Sequence, residues 1–591
     1  MLVTRIVNDP RDFREDWLAG FAAAYDRYVE LVPGASGVRR SGGARVGKAA
    51  VVVGGGCGHY PAFAGLVGDG LADGAVVGDI FTSPSAEQAH RVGRGVDAGA
   101  GVLFSFGNYA GDVMNFGVAQ RRLAADGIDA RIVVVTDDVA SAPPETADTR
   151  RGIAGGLVVF KAAGAAAARG AGLDEVERVA RLANNRTRTF GVAFAGCTLP
   201  GKSEPLFTVP AGMLELGLGI HGEPGIETVP VMSGQELAAA LLGPLLAERP
   251  AGATRAAVVL NGLGATKYEE LFVLYRGIGP ALAAAGVEAV LPEVGEFVTS
   301  LDMAGCSLTL CWLDDELTDL WAAPADTPTF RRSAGTGAGV GKVPGARFET
   351  RPRDAATGSA AATEPPTPTA AAPTASRVAA ETAREVLDAM LATVVEHEDL
   401  LGRLDAVAGD GDHGSGMVRG LRAAAAAART SDLAAAGVAT VLRAAGRAWA
   451  DRAGGTSGVL WGVFLEAVGG SLGDIAAPTA PEVAAAVGAG LGAVVEIGGA
   501  RVGDKTMVDA AEPFAHTLDR ATAAGQGLGP AWERAVQAAD RAARATADLM
   551  PRLGRARPLA AKSVGTPDPG ATSFVLCAAA AGHVLARDNI S

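Results

Sequence analysis

Three aspartates within a run of eight residues form the sharpest chemical signal in the chain. Asp405, Asp410 and Asp412 occur in the sequence LDAVAGDGDHG, in which one glycine separates the last two. Magnesium prefers hard oxygen ligands and commonly shares carboxylates with nucleotide phosphates. The run lacks the closing glutamate of an EF-hand calcium loop. The spacing therefore predicts a magnesium–nucleotide site, and a solvated acidic turn is the alternative interpretation.

Three loops farther along the chain could hold phosphate groups. Residues 454–458 read GGTSG and precede an apolar helical segment. Small residues at a helix start expose amides and hydroxyls that can bind phosphate, although the lysine of a P-loop is missing. Residues 503–506 (GDKT) and 565–571 (GTPDPGA) are two more polar loops. Taken singly, each loop could be only a cap or a connection, and Lys505 could lie at the surface rather than meet phosphate.

A second group of motifs lies in the first half of the chain. His59 closes the run GGGCGH, in which glycines let the backbone turn sharply and let a ligand approach it. Asp112 follows a strand-like run, so we expect it near the edge where open α/β sheets bind ligands. His221 lies in GLGIHGEPG, and an unprotonated imidazole nitrogen there could capture a ketone as a hemiaminal. A tight turn capped by His59, a helix N-cap at Asp112 and a turn histidine at His221 are the alternatives.

The segments that position the histidines and Asp112 alternate between strands and helices. Residues 1–350 contain short apolar runs separated by helical patterns, which predicts an α/β domain with buried strands. We expect two lobes, at about 1–187 and 188–350. The predicted strands are residues 49–53, 101–106, 132–136, 256–260 and 307–312.

The half of the chain that contains the three aspartates has a different pattern of apolar residues. In residues 384–395 the apolar side chains form one helical stripe, and alanine-rich segments recur to the end of the chain. We find no strand alternation there, so residues 377–591 are predicted to be all-helical. Residues 351–376 are rich in proline, alanine and threonine, which predicts an extended linker between the two domains.

Composition narrows the possible partners and compartment. The chain has 591 residues and a formal net charge of -13 without a basic cluster, which argues against nucleic acid as a partner. Its five scattered cysteines indicate neither a disulfide framework nor a zinc site. The N-terminus does not read as a signal peptide, and no uninterrupted apolar stretch has the length of a membrane span. We therefore expect a cytoplasmic protein with no membrane partner.

Seven motifs occur in series along the two halves: GGGxGH, NYxGDxxNF, GxGIHGEPG, LDxxxGDGDxG, GGTSG, GDKTMxDA and GxxDPGATS. This series resembles the dihydroxyacetone kinase family. The resemblance implies a multidomain chain, with an N-terminal two-lobed α/β kinase domain, usually dimeric, and a C-terminal all-α antiparallel barrel of eight helices. It also implies ATP with two magnesium ions as cofactors. Fusion of both domains looks like the ATP-using type, because phosphoenolpyruvate-dependent relatives keep the domains on separate chains.

The resemblance also implies a role for each matching residue. His221 would hold the ketone covalently, Asp112 would take the proton from the attacking hydroxyl, and His59 would polarise the substrate. The implied metal ligands are Asp405, Asp410 and Asp412. The implied sugar contacts are Gly56, Gly58, His59, Tyr60, Gly107, Asp112 and His221. The implied nucleotide contacts are His413, Gly414, Gly455, Thr456, Ser457, Gly503, Thr506, Asp568, Pro569 and Gly570.

Two positions depart from the dihydroxyacetone-specific pattern. Many such family members have glutamate where this chain has Tyr60, and lysine where it has Gly107. The loss of a lysine removes a charge and several atoms, which could admit a longer ketose. The sequence is similar to the branch acting on erythrulose, a four-carbon ketose, so we expect erythrulose to be the better substrate. The alternatives are a dihydroxyacetone or glyceraldehyde kinase, with an FMN-forming lyase side activity, and a ketose-sensing binding protein.

Overall fold

The computed structural model describes residues 6–333, 371–409, 411–554 and 556–587. These residues form two compact units, one holding nearly all described residues up to 333 and the other those from 371 onward. Most of the predicted linker at 351–376 lies outside the described residues.

The first unit contains two six-stranded sheets and a short two-stranded ribbon. The strands are β1 (Val29–Leu31), β2 (Gly37–Arg40), β3 (Ala50–Cys57), β4 (Gly74–Ile80), β5 (Val102–Gly107), β6 (Ala130–Val135), β7 (Thr187–Ala195), β8 (Met213–Leu216), β9 (Glu227–Pro230), β10 (Arg255–Gly262), β11 (Glu288–Gly295), β12 (Ala304–Trp312), β13 (Ala325–Asp326) and β14 (Arg331–Arg332). The helices are α1 (Phe13–Ala24), α2 (Ala86–Val96), α3 (Ala110–Ala125), α4 (Gly156–Ala168), α5 (Leu173–Arg186), α6 (Gly234–Ala247), α7 (Tyr268–Ala284) and α8 (Asp315–Ala322).

The first sheet has the order β1-β2-β4-β3-β5-β6, and β4, β3, β5 and β6 are parallel. Alternate residues of β3 face two apolar cores. Val51 and Val53 pack in the core that includes α4 and α5, and Ala50 and Val52 pack in the core that includes α2 and α3. Burial on both faces explains why this strand reads as a continuous apolar run.

The second sheet has the order β11-β10-β12-β7-β8-β9 and is antiparallel except for the β10–β11 pair. One face of β10 packs on α6 and α7 through Ala256, Val258 and Leu260. The other face presents Ala257 and Val259 to the same core that holds α4 and α5. The two sheets therefore share one core, and loops from both can meet.

The predicted α/β class is confirmed, and each of the five predicted strands lies mostly within an observed strand. The interpretation of residues 54–57 as a turn is wrong, because they continue β3 and pair with β4. The glycines of this strand allow neighbouring residues to pack closely, because they have no Cβ. A Cβ on Gly54 would lie 2.7 Å from the Phe116 ring, and one on Gly56 would lie 2.6 Å from the Thr82 nitrogen.

The second unit is all-helical, as predicted. Its helices are α9 (Thr374–Glu396), α10 (Glu398–Asp405), α11 (His413–Ala428), α12 (Val438–Ala453), α13 (Gly455–Leu472), α14 (Ala480–Gly498), α15 (Val508–Ala523), α16 (Leu528–Ala545), α17 (Ala560–Ser563) and α18 (Pro569–Leu585). Helix α9 begins inside the segment predicted to be linker.

Eight of these helices are long, and they close into a barrel. Helices α9, α11, α12, α13, α14, α15, α16 and α18 each pack on the next, and α18 packs back on α9. Alanine and glycine at the contacts let the backbones approach closely, while Trp449 and Trp461 stack with ring centroids 4.9 Å apart. The barrel surrounds an apolar cavity of about 170 Å³. Among the described residues, α14 alone has the length and composition of a membrane span, a property that core helices also have.

Close packing of α4 gives a first prediction. A Cβ on Gly164 would lie 2.5 Å from the Cα of Leu71, whereas one on Gly117 in α3 would meet nothing within 4 Å. We expect Gly164→Ala to destabilise the α/β unit by about 1–3 kcal/mol through overpacking. Gly117→Ala, the matched control, should stabilise it by about 0.5–1 kcal/mol through helix propensity. Urea denaturation measures both, and equal effects would contradict the packing argument.

Candidate active site

Two imidazole rings from distant parts of the chain meet in the first unit. Nε2 of His59 lies 3.0 Å from Nε2 of His221, and the ring planes are 79° apart. His59 is buried, and its Nδ1 lies 2.8 Å from the carbonyl oxygen of Thr299. The ring of Phe81 stacks on His59 with centroids 4.9 Å apart and meets His221 edge-on at 5.3 Å. The structure therefore brings together two of the three residues predicted to be catalytic.

The His221 ring is oriented by a carboxylate from its own loop. Nδ1 of His221 lies 3.1 Å from Oε1 of Glu223, and the backbone N–H of His221 donates to Oε2 at 3.0 Å. Burial opposes ionisation of Glu223, but the adjacent His221 and Arg151 hold its pKa well below the usual range. An ionised carboxylate at this position accepts from Nδ1 and leaves Nε2 as the nitrogen that faces His59.

Arg151 connects Glu223 to a buried aspartate. Its guanidinium lies 3.9 Å from Glu223 and 2.7 Å from the Oδ2 atom of Asp138. Burial raises the pKa of Asp138 to about 6, although Arg151 opposes this shift. A Cβ at position 219 would lie 2.8 Å from the Arg151 guanidinium, so a larger residue there would displace this side chain.

The predicted base follows β5, the strand that pairs with β3. Strand β5 ends at Gly107, and Asp112 is buried in the first turn of α3, as its position after a strand predicts. Tyr109, in the same loop, meets His221 edge-on with ring centroids 4.6 Å apart. Burial raises the pKa of Tyr109, so its hydroxyl stays neutral. That hydroxyl has no hydrogen-bond partner within the part of the chain that the structure describes.

The two departures from the dihydroxyacetone-specific pattern have different surroundings. A Cβ on Gly107 would lie 3.0 Å from both the Gly152 carbonyl oxygen and the Tyr109 ring. The first side-chain atom of a larger residue at this position would therefore be in tight contact with both groups. Tyr60 packs edge-on against Trp17 and Phe21, with centroids 6.1 and 5.7 Å away. Its ring lines a cavity of about 220 Å³, together with Phe13, Trp17, Cys57, Gly58, Thr299 and Leu301.

In the helical unit, Asp405 is the last residue of α10, and the following loop folds around its side chain. Its Oδ2 atom accepts hydrogen bonds from the backbone N–H groups of Gly411, at 2.8 Å, and Asp412, at 3.1 Å. Asp412 immediately precedes α11. Asp410 lies outside the described residues. Oxygen donors from a glycine-rich loop are the ligands that magnesium prefers, so these residues fit the predicted ion.

His413 joins three of the predicted nucleotide loops. It follows the aspartates, and its Nδ1 lies 3.3 Å from Oγ of Ser457 in GGTSG. Its Nε2 lies 2.9 Å from Oγ of Ser573, just after the DPGA loop. Burial lowers the pKa of His413, although Asp405 and Asp412 oppose this. His413 therefore connects these loops through side-chain contacts with Ser457 and Ser573. Gly414 follows His413 in the first turn of α11.

The remaining predicted nucleotide contacts lie at the starts of α13, α15 and α18. Gly455, Thr456 and Ser457 form the first turn of α13. Asp509 of α15 accepts from the backbone N–H groups of Gly503, at 2.6 Å, and Thr506, at 2.7 Å. The other members of this set, at the start of α18, are Asp568, Pro569 and Gly570.

Lys505 and Asp568 have unexpected environments. The surface interpretation of Lys505 is wrong, because it is buried and its Nζ donates to the Ser563 carbonyl at 2.7 Å and the Leu549 carbonyl at 3.1 Å. Asp568 caps α18 by accepting from the Ala571 N–H. Burial raises the pKa of Asp568 to about 7, and the nearby Asp509 and Asp405 contribute.

Asp568, Asp509 and the predicted metal ligand Asp405 concentrate negative charge in one region, and a bound cation would reduce the repulsion between them. Within the described ranges, which leave out position 410, no three His, Cys, Asp or Glu side chains form a ready metal cage.

Sequence reasoning missed several residues of both sites. Glu223, Arg151 and Tyr109 shape the imidazole pair, and Asp509 and Ser573 hold the nucleotide loops. Glu223 and Tyr109 lie inside the quoted motifs GIHGEPG and NYAGD, so their motif membership was an available signal. For Arg151 the sequence offers no local pattern.

Two family models match the chain. The Dak1 domain matches residues 19–329, and the DAK2 domain matches residues 407–582. This chain belongs to the dihydroxyacetone kinase family. The D-erythrulose kinase of Mycolicibacterium smegmatis is 53% identical over 98% of this chain and 97% of its own length. The L-erythrulose kinase of Pectobacterium atrosepticum is 50% identical over 100% of this chain and 98% of its own length.

A solved relative supports the two-domain architecture of this dihydroxyacetone kinase family member. The dihydroxyacetone kinase of C. freundii is 28% identical, with a TM-score of 0.53, and the alignment covers 99% of this chain and 100% of that one. The same enzyme is known in complex with AMP-PNP and Mg²⁺, with a TM-score of 0.52 and coverage of 98% and 99%. From the domains and the full-length kinase relatives, the chain is an ATP-dependent sugar kinase.

The environment of Asp568 gives a second prediction. Its pKa is about 7 in the folded protein, whereas an unfolded aspartate has a pKa of about 3.9. The stability that comes from its protonated form is therefore lost as the pH rises from about 4 through 7. In chelator-treated protein, we expect Asp568→Asn to stabilise the helical unit by up to about 4 kcal/mol at pH 8 and to have little effect at pH 4, below which both states hold the proton.

The exposed Asp519→Asn in α15 is the matched control, and it should change stability little at either pH. Urea denaturation at the two pH values provides the comparison. A pH-independent effect of Asp568→Asn would contradict the shifted pKa.

Proposed function

We propose that the chain transfers the terminal phosphoryl group of ATP to a terminal hydroxyl of a short-chain ketose, with erythrulose as its main substrate. The observation that carries this proposal is the imidazole of His221, oriented by Glu223 and facing a second imidazole at 3.0 Å. Such an arrangement suits covalent capture of a carbonyl carbon by a ring nitrogen. Capture would select ketoses over glycerol, which has no carbonyl group.

Each residue of the α/β unit has a separate task in this proposal. His221 attacks the carbonyl carbon through Nε2, because Glu223 accepts from Nδ1. His59 polarises the carbonyl oxygen from the neighbouring position. Asp112, at the start of α3, takes the proton of the hydroxyl that attacks phosphorus. Covalent attachment aligns that hydroxyl, and alignment is a large part of what phosphoryl transfer requires.

The helical unit supplies the nucleotide site in this proposal. Asp405, Asp410 and Asp412 would hold two magnesium ions, which neutralise charge on the phosphates. The first turn of α13, with Thr456 and Ser457, would contact phosphate at a helix start. The loops braced by Asp509 and capped by Asp568 would close over the nucleotide. From the family resemblance and the five buried free cysteines, we also propose a cytoplasmic homodimer.

The proposal of erythrulose as the substrate is supported by the sequence identities to relatives with different named activities. Three relatives that cover nearly the whole chain at 49–53% identity are named as erythrulose kinases. A relative from Rattus norvegicus named triokinase/FMN cyclase is 33% identical over 96% of this chain. That relative favours a second candidate function, a dihydroxyacetone or glyceraldehyde kinase that also cleaves FAD to form FMN.

Steady-state kinetics test the proposed function. We expect kcat/KM with one erythrulose enantiomer to exceed that with dihydroxyacetone by about tenfold or more, because hydroxyl contacts discriminate strongly. A higher value for dihydroxyacetone or glyceraldehyde would favour the second candidate, and FMN release from FAD with manganese tests its lyase activity. Absence of transfer from ATP to any ketose would instead indicate a sensor.

Asp405→Asn tests the metal assignment with little structural change. Asparagine keeps an oxygen that can accept from Gly411 and Asp412 but removes the charge. We expect kcat to fall by about 100-fold or more, because the phosphate charge loses a stabilising partner. The exposed Asp399→Asn in the same helix is the control and should keep wild-type turnover. Unchanged kcat and magnesium dependence in Asp405→Asn would reject the assignment.

A further inference from the structure

The loop that carries the predicted base is held by one side-chain amide. Asn108 is the first residue after β5 and lies in the same loop as Asp112. Its Nδ2 atom donates to the Arg150 carbonyl oxygen at 2.8 Å and to the Asp148 carbonyl oxygen at 3.1 Å. An amide nitrogen carries two hydrogens, so both donors of the side chain are used. The backbone N–H of Asn108 donates to the Val135 carbonyl, at the end of β6, at 3.1 Å.

The beginning of α3 connects Asn108 to the base. Tyr109, which lies between Asn108 and the helix, has an extended backbone, and its carbonyl oxygen accepts from the Val113 N–H at 2.9 Å. This hydrogen bond closes the turn that contains Asp112. Because that turn begins at Tyr109, its direction follows the position of Asn108.

A close backbone contact accompanies the amide contact. A Cβ on Gly152 would lie 2.6 Å from the Cα of Gly107 and 3.1 Å from the backbone nitrogen of Asn108. Residues 148–152 therefore pack directly against the end of β5. Glycine at position 152 permits this approach, because a side chain there would separate the two backbones.

A buried ion pair anchors residues 148–152. The Arg150 guanidinium is fully buried and donates to both carboxylate oxygens of Glu248, at 2.9 and 2.6 Å. Glu248 immediately follows α6 and also accepts from Nε of Arg188 at 2.6 Å. A bidentate pair of a guanidinium and a carboxylate fixes orientation as well as distance. The carbonyl groups that Asn108 contacts are therefore held in place.

The same segment reaches His221 by a separate contact. The Arg151 guanidinium lies 2.7 Å from Asp138 and 3.9 Å from Glu223, the carboxylate that orients His221. Glu223 belongs to the loop of His221, so this orientation does not depend on Asn108. One segment therefore contacts the base loop through Asn108 and the His221 loop through Arg151.

We propose that Asn108 is a positioning residue for phosphoryl transfer, whose amide holds Asp112 in the position relative to His221 that the transfer step requires. This role rests on the proposed function, because it assumes a ketose on His221 and a base at Asp112. Covalent capture fixes the ketose at the imidazole. The alignment of its hydroxyl with the base then depends on the loop that carries the base.

Asn108→Asp tests this role with little change in side-chain shape. An ionised carboxylate has no hydrogen to donate, so it would face two carbonyl oxygens and the loop would move away from them. We expect kcat with erythrulose and ATP to fall by about 10- to 100-fold, because small misplacements of a reacting group have effects of this size. The Kd of erythrulose, measured by calorimetry without ATP, should stay within about threefold of wild type, because only the transfer step loses an interaction.

Asn185→Asp, an exposed change of the same kind in the last turn of α5, is the control and should keep both wild-type constants. If thermal denaturation shows that Asn108→Asp does not fold, Asn108→Ala, which introduces no charge, should show the same fall in kcat with Kd retained. Unchanged kcat in the folded variant, or a parallel loss of kcat and erythrulose binding, would overturn the positioning role alone. Absence of phosphate transfer to any ketose by the wild-type chain would overturn the proposed function and this role with it.

Discussion

The imidazole pair depends on one constraint, an acceptor that faces each Nδ1. Thr299 supplies a carbonyl to His59, and Glu223 supplies a carboxylate to His221. These acceptors leave the two Nε2 atoms facing each other, an arrangement that suits the proposed attack on a carbonyl carbon. The core shared by both sheets brings the loop after β3 and the loop after β8 to the same place.

In the proposed nucleotide site of the helical unit, carboxylates have two effects. Asp405 and Asp509 accept backbone N–H groups and so shape the glycine loops that follow or precede them. The same carboxylates increase the local negative charge, which contributes to the raised pKa of Asp568. A loop organised by carboxylates is therefore also a loop that favours a cation, because bringing these charges together costs free energy until a counter-ion binds.

The two positions that depart from the dihydroxyacetone-specific pattern both lie in packed surroundings. Gly107 is in close contact with Gly152 and Tyr109, so a larger residue there would have to displace neighbouring groups. Tyr60 packs into an aromatic cluster with Trp17 and Phe21. Tyr60 is next to His59 in the chain and Gly107 lies five residues before Asp112, so a change at either position would alter the packing beside these loops.

The sequence by itself determined the α/β and all-helical classes, the five principal strands and the order of the motifs. Buried strands and amphipathic helices leave periodic apolar patterns that can be read locally. Only the tertiary structure decided that residues 54–57 extend a strand, that Lys505 is buried and that Arg151 supports Glu223. Those facts depend on contacts between residues far apart in the chain, such as the pair formed by His59 and His221, and no local pattern encodes which distant side chains will meet.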